Sequence, residues 1–313
     1  MHRGAGFFEQ DSSVDLTVRI RDKTIANPVG VASGTFGYGS EYEQLINLPR
    51  LGALFTKAVT LEPRAGNDVP RIVETPSGML NSIGLANVGV KRFIAEKLPF
   101  LSRLPCAVIA NVAGSSVDEY LEVVRRLEDH PLWGYELNLS CPNVKESCLA
   151  FGTSARQVEA LTDVVRKITN RPLIVKLTPN VTDITEIARA AEAGGADAVT
   201  CINTVVGMVI DVRKRRTVLP GGTGGLSGPA ILPIGVAATY KVARTVKIPI
   251  FGVGGIMDAD GALQYLLAGA SAVQVGTATF ADPSIPERIL DGITAYLAEN
   301  DLACLAELQR FIA

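Results

Sequence analysis

PLIVKLTPNVTDITEIARAAEAGGADAVTCINT, residues 172 to 204, holds one complete structural period. PLIVKLT is a short apolar run of strand type. VTDITEIARAAEAG has Thr182 and Asp183 near its start, which suit a helix N-cap, and carries apolar residues at helical spacing. ADAVTCINT is a second apolar run. Each run ends in polar residues: Lys176 in the first, Asn203 and Thr204 in the second.

The same period extends in both directions. NPVGVASG, LGALFTKAVT, PCAVIANVAG and GYELNLSC come before it, and PIFGVGG and SAVQVGTAT come after, making eight runs in all. The helical patterns between them are EYEQLINL, VKRFIAEKLPFL, SVDEYLEVVRRLED, SARQVEALTDVVRKIT, GPAILPIGVAATYKVART and MDADGALQYLLAG, with PSIPERILDGITAYLAEN after the last run. Eight strands, each followed by a helix, in about 250 core residues predict an α/β fold, the (β/α)8 TIM barrel. A doubly wound open sheet is the alternative, but it usually has fewer strands and one ligand crevice. VDLTVRI followed by TIANP reads as an N-terminal hairpin ahead of the barrel. Residues 1–13 are expected to be an extension and 14–313 a single barrel domain. Two long insertions, 61–90 after strand 2 and 205–227 after strand 6, leave the strand ends where barrel enzymes build their sites, so lids or walls are expected there.

The composition narrows the function classes. Of 313 residues 47% are hydrophobic, enough for a large core, and 30 Lys and Arg against 32 Asp and Glu give a formal charge of -2. No basic field exists to hold nucleic acid or an anionic membrane. No apolar run approaches the roughly 20 residues that span a bilayer, and MHRGAGFFEQDSS lacks the apolar core of a signal peptide, so a cytoplasmic enzyme is expected. The five cysteines (106, 141, 148, 201 and 304) include no C-x-x-C pair, and the two histidines, His2 and His130, have no motif around them. A disulfide framework, a metal site and a histidine triad are therefore not expected.

Polar residues collect at the ends of all eight runs: Ser33 and Gly34; Thr56 and Lys57; Asn111; Asn138 and Cys141; Lys176; Asn203 and Thr204; Gly254 and Gly255; Gly276 and Thr277. In a barrel these converge on one mouth. Lys57 and Lys176 interrupt apolar runs, where an unpaired ammonium costs several kcal/mol, about 3–5 when a partner is removed. An anionic ligand would compensate, and so would an ion pair with a strand carboxylate such as Glu136. GGTGGLSG (221–228), GVGG (252–255) and VGT (275–277) suit phosphate binding through backbone N–H groups, with turn formation as the alternative. No G-x-G-x-x-G dinucleotide motif opens a helix, so a mononucleotide such as FMN fits better than NAD or FAD. Cys141 stands just past strand 4 between Asn138 and Asn143. Near a cationic mouth its thiol is suited to accept a proton, whereas Cys106 and Cys201, inside strands, read as small hydrophobes.

NLSCPN (138–143), SGTFGYG (33–39), TKAVTLEPRAGN (56–67), NSIGLANVG (81–89), KLTPN (176–180), INT (202–204) and GGLSGPAI (224–231), with GVGG and VGT, together resemble class 1 dihydroorotate dehydrogenase over almost the whole chain from about residue 14. The loop ending AFGT (150–153) resembles the NAD-linked subclass. The resemblance implies oxidation of (S)-dihydroorotate to orotate in pyrimidine biosynthesis, with Cys141 taking the C5 proton while hydride leaves C6 for N5 of FMN. It implies substrate contacts from Lys57, Asn81, Ser82, Ile83, Gly84, Leu85, Asn138, Asn143, Asn203 and Thr204. FMN contacts are implied for Ser33, Lys57, Ala58, Asn111, Asn138, Lys176, Ile202, Gly228, Gly254, Gly255, Gly276 and Thr277, with Lys176 also stabilising charge on the reduced flavin. Because the chain lacks an iron-sulfur or dinucleotide motif, electrons bound for NAD are expected to leave through another protein; the resemblance implies that this is a partner subunit carrying FAD and [2Fe-2S], in a heterotetramer of two catalytic and two electron-transfer chains. A fumarate-using type A enzyme without a partner is the alternative, and a phosphate-binding barrel lyase is a second. Ser147 and Cys148 depart from the small residues or glycine expected in the Cys141 loop, Cys148 reads as a passenger there, and Arg213–Arg216 reads as a solvated hairpin.

Overall fold

A computed structural model describes residues 14–139 and 151–308 of the chain. Eight parallel strands close into a barrel in chain order: β1 (Val29–Val31), β2 (Ala53–Phe55), β3 (Ala107–Val112), β4 (Gly134–Asn138), β5 (Leu173–Lys176), β6 (Ala198–Cys201), β7 (Ile250–Val253) and β8 (Ala272–Val275), which pairs back with β1. All eight apolar runs become these strands, and closure excludes the open sheet. Nearly every strand residue is buried, as expected for parallel strands with side chains on one face and helices on the other.

Two cores result. Phe55, Ile109, Ile174 and Phe251 belong to one buried cluster, with the Phe55 and Phe251 rings edge-to-face at 5.3 Å. The hairpin of Val18–Ile20 and Lys23–Ile25 adds Val18, Ile20 and Ile25 to this cluster and so closes one end of the barrel. The other strand face, with Leu54, Val108, Leu137 and Val175, packs against helix residues such as Val123, Val158 and Ile187.

Helices form where their caps predict them. Ser116 accepts from the Glu119 N–H at the start of Val117–Glu128, Asp183 from Thr185 at Ile184–Ala193, and Asp258 from Gly261 at Ala259–Leu267. The expected helix EYEQLINL is different: it forms only the 3-10 turns Ser40–Tyr42 and Leu48–Arg50. Gly37 and Gly39 precede it with positive φ and Pro49 follows, leaving no stretch long enough to repay helix nucleation. Leu45 is left exposed.

The two insertions form one structure. Ile72–Thr75, Gly78–Asn81, Gly224–Ser227 and Val205–Gly207 make a single four-stranded antiparallel sheet, with Asn81 opposite Gly225 and Val205 opposite Leu226. Arg213–Arg216 lies in an exposed hairpin whose strands are Ile210–Asp211 and Arg216–Thr217. No helix among the described residues is long and apolar enough to cross a membrane.

Candidate active site

The C-terminal strand ends and the insertion sheet enclose a cavity of about 300 Å³. Strand alternation explains its lining, since residues two apart on a strand face the same way. Asn138 and Lys176 each extend an inward-facing row to the rim, and Ile202 and Gly276 line it just past the ends of β6 and β8. Asn138 stands opposite Lys176 across the β4–β5 pair, and Thr200 stands opposite Lys176 from β6.

Lys57 and Lys176 both line the cavity, and Lys176 is 6% exposed. Neither ammonium lies within 4.0 Å of a carboxylate oxygen among the described residues. Burial lowers the Lys57 pKa, with Glu41 opposing the shift and Arg71 adding to it. An ion pair with Glu136 is not formed: that carboxylate is occupied by Asn111 Nδ2 at 2.6 Å, Thr200 Oγ1 at 2.8 Å and Gln274 Nε2 at 3.2 Å. The cavity therefore holds two cations whose charge is left for a ligand to answer.

The glycine loops line the same cavity. Gly254 and Gly255 have φ of 126° and 74°, and a Cβ on Gly255 would come within 2.5 Å of the Leu232 backbone N. The N–H groups of Gly254, Gly255, Gly276 and Thr277 find no backbone acceptor among the described residues. Thr277 Oγ1 donates to Ser227 Oγ at 2.8 Å, tying this rim to the insertion sheet. Asn138 Oδ1 is buried without a partner among the described residues. Cations, open N–H groups and an orphaned amide oxygen are the donor and acceptor set that a flavin mononucleotide, with its phosphate and imide-bearing ring, requires.

Most of the residues singled out from sequence meet here. Ser33, Lys57, Ala58, Asn81, Ile83, Gly84, Leu85, Asn138, Lys176, Ile202, Asn203, Thr204, Gly228, Gly254, Gly255, Gly276 and Thr277 all line the cavity. Two described residues do not. Ser82 is buried and its hydroxyl is bonded by Asn67 Nδ2 at 2.8 Å, while Asn111 is fully buried with its amide on Glu136. Cys141, Asn143, Ser147 and Cys148 lie outside the described residues. Sequence reasoning missed the apolar part of the lining, including Ile72, Met79, Ile231, Met257 and Phe280. Ile72 and Met79 sit in the long insertion already read as a wall, a signal that pointed to the segment but not to these side chains.

Comparison with known proteins agrees with this geometry. The model of the family described as dihydroorotate dehydrogenase matches residues 15–297. A protein of Geotalea uraniireducens is 50% identical over 94% of this chain and 97% of its own length, and one of Geobacter sulfurreducens is 50% identical with the same coverage. A relative from Lachnoclostridium phytofermentans is 49% identical over 94% and 98%. Each bears the name dihydroorotate dehydrogenase B (NAD(+)), catalytic subunit.

Proposed function

From the premise that this chain belongs to the dihydroorotate dehydrogenase family, we infer that it is the catalytic subunit of an NAD-linked dihydroorotate dehydrogenase. It oxidises (S)-dihydroorotate to orotate in pyrimidine biosynthesis. The observation that carries this reading is one cavity lined both by Lys57 and Lys176, with no carboxylate oxygen within 4.0 Å among the described residues, and by glycine-loop N–H groups with no backbone acceptor among them. Bound FMN supplies the acceptor for the hydride from C6 of the substrate. The chain's own residues supply the rest.

Lys57 answers the substrate carboxylate, its desolvation offset by the charge it meets. The Asn81–Leu85 segment, Asn138, Asn203 and Thr204 bind the ring amides, with Asn143, outside the described residues, assigned alongside them. Ser82 supports this segment through Asn67 rather than by facing the cavity. Cys141, also outside the described residues, is assigned as the base that takes the C5 proton as the C5–C6 double bond forms. Ser33, Ala58, Ile202 and Gly228 are assigned to FMN with Lys57 and Asn138. Gly254, Gly255, Gly276 and Thr277 receive its phosphate, and Lys176 balances charge on the reduced ring.

The name shared by the relatives, catalytic subunit, supports a partner subunit for this chain. The partner is proposed to carry FAD and [2Fe-2S], in a heterotetramer of two chains of each kind. Anaerobic reduction of the purified, FMN-loaded chain by dihydroorotate tests the reading. Bleaching of the flavin, with NAD reduced only after the second protein is added, is expected. Full-rate turnover with fumarate by the chain alone would favour the partner-free type A enzyme, and a colourless chain that takes up no FMN would favour a phosphate-binding lyase.

A further inference from the structure

Glu136 has no part in the chemistry assigned above, yet it is a fully buried carboxyl in the middle of the barrel. It lies two residues before Asn138 on β4, as Thr200 of β6 lies two before Ile202 and Gln274 of β8 two before Gly276, Ile202 and Gly276 both standing just past their strands' ends. Asn138, Ile202 and Gly276 line the cavity, so Glu136, Thr200 and Gln274 form the layer directly beneath its floor.

The hydrogen bonds in this layer run one way. Asn111 Nδ2, Thr200 Oγ1 and Gln274 Nε2 all donate to the two oxygens of Glu136. The carbonyl oxygens of the same two amides, Asn111 Oδ1 and Gln274 Oε1, are buried and have no partner among the described residues. A neutral carboxyl would offer its proton to an acceptor, and two unpaired acceptors belong to its own neighbours. An ionised carboxylate, which only accepts, leaves the arrangement as it stands. Lys176, opposite Asn138 and Thr200 on the neighbouring strands and 6% exposed, has no carboxylate oxygen within 4.0 Å among the described residues.

We propose that Glu136 is held ionised beneath the cavity floor as a positioning residue. It offsets the Lys176 charge through space and biases the bound flavin toward giving up its electrons. A fixed negative charge in a fully buried layer opposes negative charge arriving above it, and low local polarisability extends its reach. Lys176 favours the reduced ring and Glu136 disfavours it, so the pair sets how readily reduction reverses outward. The inference rests on the flavin reading of the cavity.

The test is the affinity of the apoprotein for oxidised and for reduced FMN, in the parent chain and in Glu136→Gln, which keeps size and removes the charge. The ratio of reduced to oxidised affinity is expected to rise by about tenfold in the variant, equivalent to a more positive flavin potential. A purely structural role would weaken both forms alike and leave the ratio unchanged, and that result overturns the proposal, as does a fall in the ratio. Where Glu136→Gln does not fold, Glu136→Met takes its place with the same expectation. On the unmodified chain, neutron diffraction that finds a deuteron on Glu136 overturns the proposal without any variant. A parent chain that binds no FMN overturns the flavin reading instead, a distinct result.

Discussion

The Tyr265 hydroxyl donates to the Gly254 carbonyl at 2.7 Å, so a fully buried ring on the helix after β7 fixes the glycine loop at the cavity rim. Gly252 packs against the same ring, where a Cβ would overlap Tyr265. Tyr265→Phe keeps the packing and loses the bond, a net change of about 0.5–1.5 kcal/mol. FMN affinity of the apoprotein is expected to fall by roughly two- to tenfold, with the fold intact by circular dichroism. An unchanged dissociation constant would show that the loop holds its shape without the tether.

Gly225 sits where the two insertions meet, and a Cβ there would collide with Thr204 Oγ1. Gly225→Ala is expected to push Thr204 out of place and raise the KM for dihydroorotate by about tenfold or more, on the scale of overpacking at about 1–3 kcal/mol. FMN content measured by absorbance is expected to stay at the parental level. Loss of FMN together with substrate affinity would mean that the sheet responds as one body.

Lys57 links the site to pH. Burial lowers its pKa, so between the depressed native value and the ordinary lysine value the unfolded chain binds more protons, and the stability of the unliganded protein rises with pH through that window. Below the native value the cost of the buried charge is fully present. Lys57→Met removes that cost, so at neutral pH its unliganded Tm is expected to be equal to or above the parent's. Orotate affinity is expected to drop about 10–100-fold with the loss of a charge-assisted bond. In the parent, orotate affinity is expected to decline as pH rises through the Lys57 pKa. A pH-independent dissociation constant in calorimetry would remove Lys57 from carboxylate recognition.

Cys141→Ser is expected to retain FMN and orotate binding while slowing flavin reduction by about 10²–10⁴-fold, the range of general-base catalysis. Stopped-flow reduction by dihydroorotate measures it, and a parental rate would rule out the base assignment.

Burial pushes the Cys106 thiol up to about 11 and raises Cys201 further in direction, while Cys304 is partly exposed. Iodoacetamide at pH 8 is expected to label Cys304 in the native protein and to spare Cys106 and Cys201, read by peptide mass spectrometry. Labelling of Cys201 without unfolding would contradict the packing of β6.

The eight strands were legible in the sequence because each βα period is local: an apolar run, a capped amphipathic helix and a polar strand end lie within about 30 residues, the size of a βαβ unit. The polar rim was legible for the same reason, since a barrel sends every strand end to one mouth. Lys57, Lys176 and the glycines of β7 and β8 could be placed without coordinates. EYEQLINL failed because its helical spacing spans about two turns, and flanking glycines and a proline outweigh so short a pattern. The single sheet made by the two insertions could not be read, because Asn81 and Gly225 are 144 residues apart and strands of three or four residues carry no periodic signal. The partner of Glu136 was equally hidden. From the sequence an ion pair with Lys57 or Lys176 stood as the alternative to an anionic ligand, but closure of the barrel brings Thr200 and Gln274, on β6 and β8, to the same carboxylate. Local periodicity determined the elements and the direction in which their ends point. Which side chains meet inside depended on closure, because a hydrogen bond between distant strands is set by their stagger around the barrel, and no single segment encodes that.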